Sequence, residues 1–236
     1  MNQDIVRVAI GYDYREAIAY HVCSQSIIKN SNQPLTIIPL ASNLISNFSK
    51  LDNKGSNQFI ISRFLTPSIV NYSGWVIYID GDVVCNDDIQ ELWSLRDEKY
   101  AVQCVKHDYK TKYENKYFGN KNENYPRKNW SSVILWNCSH PSNQILTPDF
   151  VSKHDGKYLH RFTWLNDEEI GDLPLKWNWL SSEYEDNADA GLIHYTLGTP
   201  CFKEWSDKGM SEYWHNYFTE TVNGFDYLHK ITPNTN

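Results

Sequence analysis

The run Trp75-Val76-Ile77-Tyr78-Ile79, closed by Asp80-Gly81-Asp82, constrains this chain more than any other stretch. It is continuously apolar and made of β-branched and aromatic residues. That pattern reads as a strand buried on both faces of a sheet, not as the half-solvated strand of an open antiparallel layer. Open α/β sheets place their ligand crevice beyond the carboxyl ends of such strands. Two carboxylates at i and i+2 therefore stand at a crevice mouth and can turn toward one point. Hard oxygen donors in that position suit Mg²⁺ or Mn²⁺, ions that also hold substrate phosphates. Asp-Gly-Asp is also common in turns, so a solvated turn stays open on these residues alone.

The flanking chain supports an α/β sheet. Ile5 to Ile10 reads as a first buried strand ended by Gly11-Tyr12-Asp13, and Arg15 to Lys29 as the helix after it. Ala19, Val22, Cys23, Ser26 and Ile27 give that helix one core face. Leu35 to Leu40 is the second strand. A β-α-β start argues for a mixed, mainly parallel sheet flanked by helices. Residues 42 to 57 read as a polar loop, and Phe59 to Tyr72 as a helix interrupted at Pro67. Arg63 lies on that helix among apolar neighbours, either exposed or paired with a carboxylate or phosphate. Further strands are expected over 100–105, 131–138 and 191–196, the last carrying His194, and a final aromatic helix over 212–221. The tail 232–236 reads as frayed.

Residues 106 to 129 are the most polar part, with seven Lys or Arg and with Tyr109, Tyr113, Tyr117 and Tyr125 interleaved. A loop of that length is either functional or disordered: an acceptor-binding flap or a solvated loop. No repeat or linker divides the 236 residues, so one domain is expected: a nucleotide-binding half over 1–105, an acceptor and sugar half over 106–220, and a tail over 221–236. A net charge of -7 speaks against nucleic acid as a partner. No apolar run approaches the roughly 20 residues of a membrane span, and the opening Met1-Asn2-Gln3-Asp4 does not look like a signal peptide. Five scattered cysteines without a C-x-x-C pair suggest a reducing, cytoplasmic setting.

Taken together, these residues resemble a nucleotide-sugar glycosyltransferase of the GT-A (Rossmann-like) fold, nearest to glycosyltransferase family eight. Asp80-Gly81-Asp82 after Tyr78-Ile79 is similar to that family's D-x-D element, and Phe59 to Pro67 with Arg63 to its helix with a donor-contacting arginine. His194, Gly198, Lys203 and Trp205 resemble its late H-x-x-G-x-x-K-P-W element. Leu173-Pro174 with Trp177-Asn178 resembles L-P-x-x-W-N. The chain departs from the pattern in places. His194 and Gly198 are four apart where the family has three, and Glu204 replaces the proline. Trp130-Ser131-Ser132-Val133 stands where the family has Asn-Ser/Ala-Gly-Val, and Arg161-Phe162-Thr163 near its Asp-Gln-Asp.

The resemblance implies a UDP-sugar donor, a glycan or other hydroxyl acceptor, and transfer with retention of configuration. It implies a cation held by Asp80, Asp82 and His194, Mn²⁺ more readily than Mg²⁺ because an imidazole joins the carboxylates. Gly11, Tyr12 and Asp13 would hold the base, and Gly81, Ser132 and Gly198 would line the donor. Arg63 and Lys203 would set positive charge against the phosphates. Asp167 and Glu168 are the acids to test beside the sugar. The alternative readings are Tyr12 as packing, His194 as a core histidine and Asp167-Glu168 as a solvated turn. A sugar-phosphate nucleotidyltransferase and an inactive carbohydrate- or nucleotide-binding relative are the alternatives. The single glycine of Gly11-Tyr12-Asp13-Tyr14-Arg15 speaks against the former, whose first loop is usually glycine-rich.

Overall fold

The computed structural model describes residues 5–45, 48, 59–115 and 121–231, with the backbone only for Phe59 and 224–231. Most of the 42–57 stretch, Lys116, Tyr117 and the two termini lie outside the described residues.

Strands β1 (Val6–Tyr12), β2 (Leu35–Ala41) and β3 (Trp75–Ile79) are joined through helices: α1 (Ala17–Lys29), and α2 (Phe59–Ser62) with α3 (Thr66–Ile69). They are followed by β4 (Val83–Cys85), α4 (Ile89–Ser94), β5 (Val102–Cys104), β6 (Val133–Asn137), α5 (Pro148–Lys153), α6 (Gly156–His160), β7 (Ile170–Asp172), β8 (Trp179–Leu180), β9 (Leu192–His194) and α7 (Ser211–Ile231). The main sheet has the order β2-β1-β3-β6-β5-β7. β1 runs parallel to β2 and β3, β5 runs parallel to β7, and β6 is antiparallel to both its neighbours. This is the mixed, mainly parallel sheet expected.

The expected helix over 59–72 is three short pieces. A 3-10 turn at Arg63–Leu65 separates α2 from α3, and Pro67 sits in the first turn of α3, where its missing N–H costs nothing. Asp88 and Thr147 cap α4 and α5 with their side chains, as their positions before apolar runs predict.

All five residues of β3 and of β6 are buried, as the apolar run Trp75–Ile79 and the apolar run 133–136 require, with Asn137 buried at the end of β6. Side chains then alternate between two cores. Trp75, Ile77 and Ile79 face the layer holding Cys23 and Ile27 of α1. Val76 and Tyr78 face the layer built from Phe64, Leu65, Val151, Leu159 and Phe162. Asp80 follows Tyr78 by two and so emerges on the face where Arg63 lies.

A second, three-stranded sheet of order β4-β9-β8 is not evident from the sequence. β4 is only three residues long and reads as a continuation of β3. The turn at Gly81-Asp82 instead sends the chain into an antiparallel pair with β9, register Val83↔His194. The N–H of Tyr195 closes this pairing on the carbonyl of Asp82 at 3.0 Å. Val22, Val84, Ile193, Tyr195 and Trp214 form the core that seats this sheet between α1 and α7.

The polar stretch after β5 is, where described, a structured wall. Buried Glu183 accepts the backbone N–H of Lys112 at 2.8 Å and the hydroxyl of Thr111. Buried Lys128 donates to Asn122 Oδ1 at 2.6 Å. Burying Glu183 and Lys128 is tolerable because each keeps charge-assisted hydrogen bonds.

Candidate active site

At the mouth of β3, Asp80, Asp82 and His194 are all buried, and one ligand atom from each lies within 4.8 Å of the others. Each is placed by a different device. Asp80 is gripped from the helical side. Arg63 forks onto it, Nη1 to Oδ2 at 3.0 Å and Nη2 to Oδ1 at 3.0 Å, while Nη1 also donates to the carbonyl of Ser131 at 2.8 Å. The Tyr78 hydroxyl donates to Asp80 Oδ1 at 2.6 Å. Arg63 is 4% exposed and Asp80 6%, so this is a buried, bidentate pair. The arginine thus acts on the carboxylate. Burial pushes the Asp80 carboxyl up to about 6, against the opposing pull of Arg63.

His194 is set by Asn178. The Asn178 amide nitrogen donates to the carbonyl of Asn129 at 3.1 Å and to Ser132 Oγ at 2.9 Å. Its Oδ1 therefore faces the ring and accepts from His194 Nδ1 at 2.9 Å. With the proton on Nδ1, the Nε2 lone pair points at Asp82 Oδ1, 3.3 Å away. An imidazole lone pair beside a carboxylate oxygen is repulsive unless a proton or a metal cation lies between them. The donor set, two carboxylates and one oriented imidazole, fits a divalent ion of the Mn²⁺ class. Asn178→Leu should leave the strands in place yet lower divalent-cation affinity about 10- to 100-fold, the usual cost of losing such an orienting partner. Mn²⁺ titration followed by electron paramagnetic resonance checks this.

The cluster opens into a cleft of about 340 Å³ also lined by Arg63, Tyr125, Asn129, Ser131, Ser132, Thr196, the α6 residues Gly156, Lys157 and His160, and Arg161 just after them. Ser132 lies in the lining, and its hydroxyl donates to the carbonyl of Asn129 at 2.7 Å. The other expected site residues are outside the lining of this cleft. Gly11 is buried in β1. The Tyr12 ring packs edge-on against Tyr20 at 5.4 Å. Asp13 caps the following 3-10 turn and binds Arg15. Gly81 is buried between the two acids, and Gly198 adopts φ 147°, a region that favours glycine. Lys203 is exposed and is not in the cleft lining. Asp167 and Glu168 sit on an exposed 3-10 turn, also outside the lining, with Asp167 paired to Arg127.

A profile described as glycosyl transferase family 8 matches residues 8–139, more than half of the chain. The chain belongs to glycosyl transferase family 8. It is 42% identical over 229 residues to "Protein CDI" of Arabidopsis thaliana, covering 91% of this chain and 86% of that protein. The family 8 chain also superposes on the apo WbbM bifunctional glycosyltransferase, with TM-score 0.65, 17% identity, and coverage of 98% of this chain and 52% of that one. The apo form of GlyE from Streptococcus pneumoniae TIGR4 gives TM-score 0.63, 17% identity and coverage of 97% and 65%. The chain thus spans about half to two thirds of those two structures. The galactosyltransferase LgtC, solved with donor and acceptor sugar analogs, gives TM-score 0.56, 12% identity and coverage of 91% and 96%. At these identities the structures establish a shared fold. No described helix of this family 8 glycosyltransferase is long and apolar enough to cross a membrane.

Lys157 and His160 carry no functional signal in the sequence, and Tyr78 and Arg161 are legible only as neighbours of segments that the family resemblance picks out. Trp177-Asn178 was visible as a pattern, but the task of Asn178 is set only by the fold.

Proposed function

We propose that this protein transfers a sugar from a UDP-sugar donor to a hydroxyl of a glycan or other acceptor, with retention of configuration and with a divalent cation, Mn²⁺ or Mg²⁺, at Asp80, Asp82 and His194. The observation that carries this reading is the Asp82–His194 contact, with the imidazole lone pair turned into the cleft by Asn178. A cation held there supplies positive charge against the departing diphosphate. The chain's own residues do the rest. Arg63 and Tyr78 fix Asp80 so that no reorganisation is needed when the donor binds. Tyr125, Asn129 and Ser132 form a wall beside the donor. The diphosphate takes the acceptor proton, so no protein base is required. In keeping with this, Glu123 is the only carboxylate among the described lining residues besides Asp80 and Asp82, and it is paired with Lys121 at 3.2 Å. Asp167 and Glu168 then act at most on the acceptor side. Residues 1–105 serve the nucleotide and 106–220 the sugar and acceptor. The five cysteines are free thiols, in keeping with a cytoplasmic, reducing setting.

Calorimetry of UDP-glucose with Mn²⁺ and with EDTA tests the proposal: binding should need the metal, and equal affinity in both would reject it. The pH dependence has a definite sign. Asp80 favours its protonated form below about 6, and a ligand must be deprotonated to bind metal. Mn²⁺ affinity should therefore rise as pH passes upward through about 6. In the metal-free protein the same raised carboxyl contributes stability at low pH that is lost as pH rises through about 6. Stabilisation by Mn²⁺ should consequently be larger at pH 7.5 than at 5.5, as thermal melts would record.

A further inference from the structure

Part of the cleft lining is basic. Lys157 and His160 come from α6, and Arg161 is the residue that ends it. Most charged or polar groups around them are already engaged. Arg63 is bound to Asp80, His160 Nδ1 lies 2.7 Å from Ser131 Oγ, and Glu123 is bound to Lys121. Arg161 differs. Its Nε is buried and has no hydrogen-bond partner among the described residues. Lys157 is exposed at the rim of the same cleft.

A buried guanidinium N–H without an acceptor is costly, and a ligand that supplies the acceptor recovers that cost. The planar fork of arginine matches a carboxylate, to which it can donate two parallel hydrogen bonds. On the nucleotide-sugar reading, the diphosphate is met by the cation at Asp80, Asp82 and His194. Arg161 and Lys157 are then positive groups that a neutral hexose would leave without a counter-charge. Tyr125 lies in the electrostatic field of Arg63 and Asp80 and also of Arg161, so the basic wall and the metal set belong to one cavity.

We propose that the transferred sugar is acidic and that Arg161, assisted by Lys157, binds its carboxylate. This inference rests on the nucleotide-sugar reading. The test is calorimetry with Mn²⁺ on the full chain, comparing UDP, UDP-glucose and UDP-glucuronate. The wild type should bind UDP-glucuronate at least tenfold more tightly than UDP-glucose. Arg161→Gln should bring that ratio close to one, Arg161→Lys should keep part of it, and Lys157→Gln, at an exposed position that the fold does not need, should reduce it. A wild-type ratio near one, or a ratio unchanged in Arg161→Gln, overturns the proposal. Equal weakening of UDP and both UDP-sugars in Arg161→Gln would assign the arginine to the diphosphate and also overturn it. Failure of UDP itself to bind would instead reject the parent reading, and the acidic-sugar inference with it.

Discussion

Asp82→Asn should remove cation-dependent UDP-sugar binding and transfer, with affinity falling by more than about 100-fold, beyond the range seen for losing a mere orienting partner. Its melting temperature should stay close to that of the wild type. Asn keeps the volume of Asp and takes a negative charge out of a buried site, whereas Asp80 neutralises the buried Arg63. Asp80→Asn is a poorer probe, although the sequence suggests that the two acids are equivalent. Removing the Asp80 charge leaves the buried Arg63 guanidinium facing a neutral amide, so activity and stability would fall together. Mn²⁺ titration and a thermal melt of Asp82→Asn decide the matter. Full turnover in that variant would remove Asp82 from the metal set.

Arg63→Leu should be the most destabilising single change at the site, by about 3–5 kcal/mol, the usual result of stripping one partner from a buried ion pair. Two groups lose a donor at once: the Asp80 carboxylate, which keeps the Tyr78 hydroxyl, and the carbonyl of Ser131. Arg63→Lys keeps the charge but cannot reproduce the fork, and should fall between wild type and Leu. Saturating Mn²⁺ should recover part of the loss in Arg63→Leu, because it gives Asp80 another positive partner and binds the native state. Urea denaturation in EDTA and in Mn²⁺ measures both effects. A Leu variant as stable as the wild type in EDTA would show that the pair adds nothing to the fold.

The resemblance also assigned Arg63 and Lys203 to the donor phosphates, and the structure separates them. Arg63 lines the cleft but is turned to Asp80, whereas Lys203 is exposed beyond it. The loop over 106–129 was open to two readings. Buried Glu183, bonded to Thr111 and Lys112, and Asn178, bonded to the carbonyl of Asn129, show that its described part is pinned to the body, with Tyr125 and Asn129 in the cleft wall.

The sequence by itself determined the elements whose cause is local. The β-branched and aromatic run of β3 and the apolar run 133–136 of β6 made buried strands, and the capping residues Asp88 and Thr147 set the starts of α4 and α5. Two acids separated by one glycine at a strand end were legible as a pair for the same reason: their nearness is written in the backbone spacing. Tertiary structure decided everything that depends on register between distant segments. The pairing of β4 with β9 puts His194 against Asp82. The alternation of β3 between two cores brings Tyr78 and Asp80 to the face where Arg63 waits. Asn178 orients the histidine only because Asn129 and Ser132 hold its amide nitrogen, and the partners of an amide have no signature along the chain.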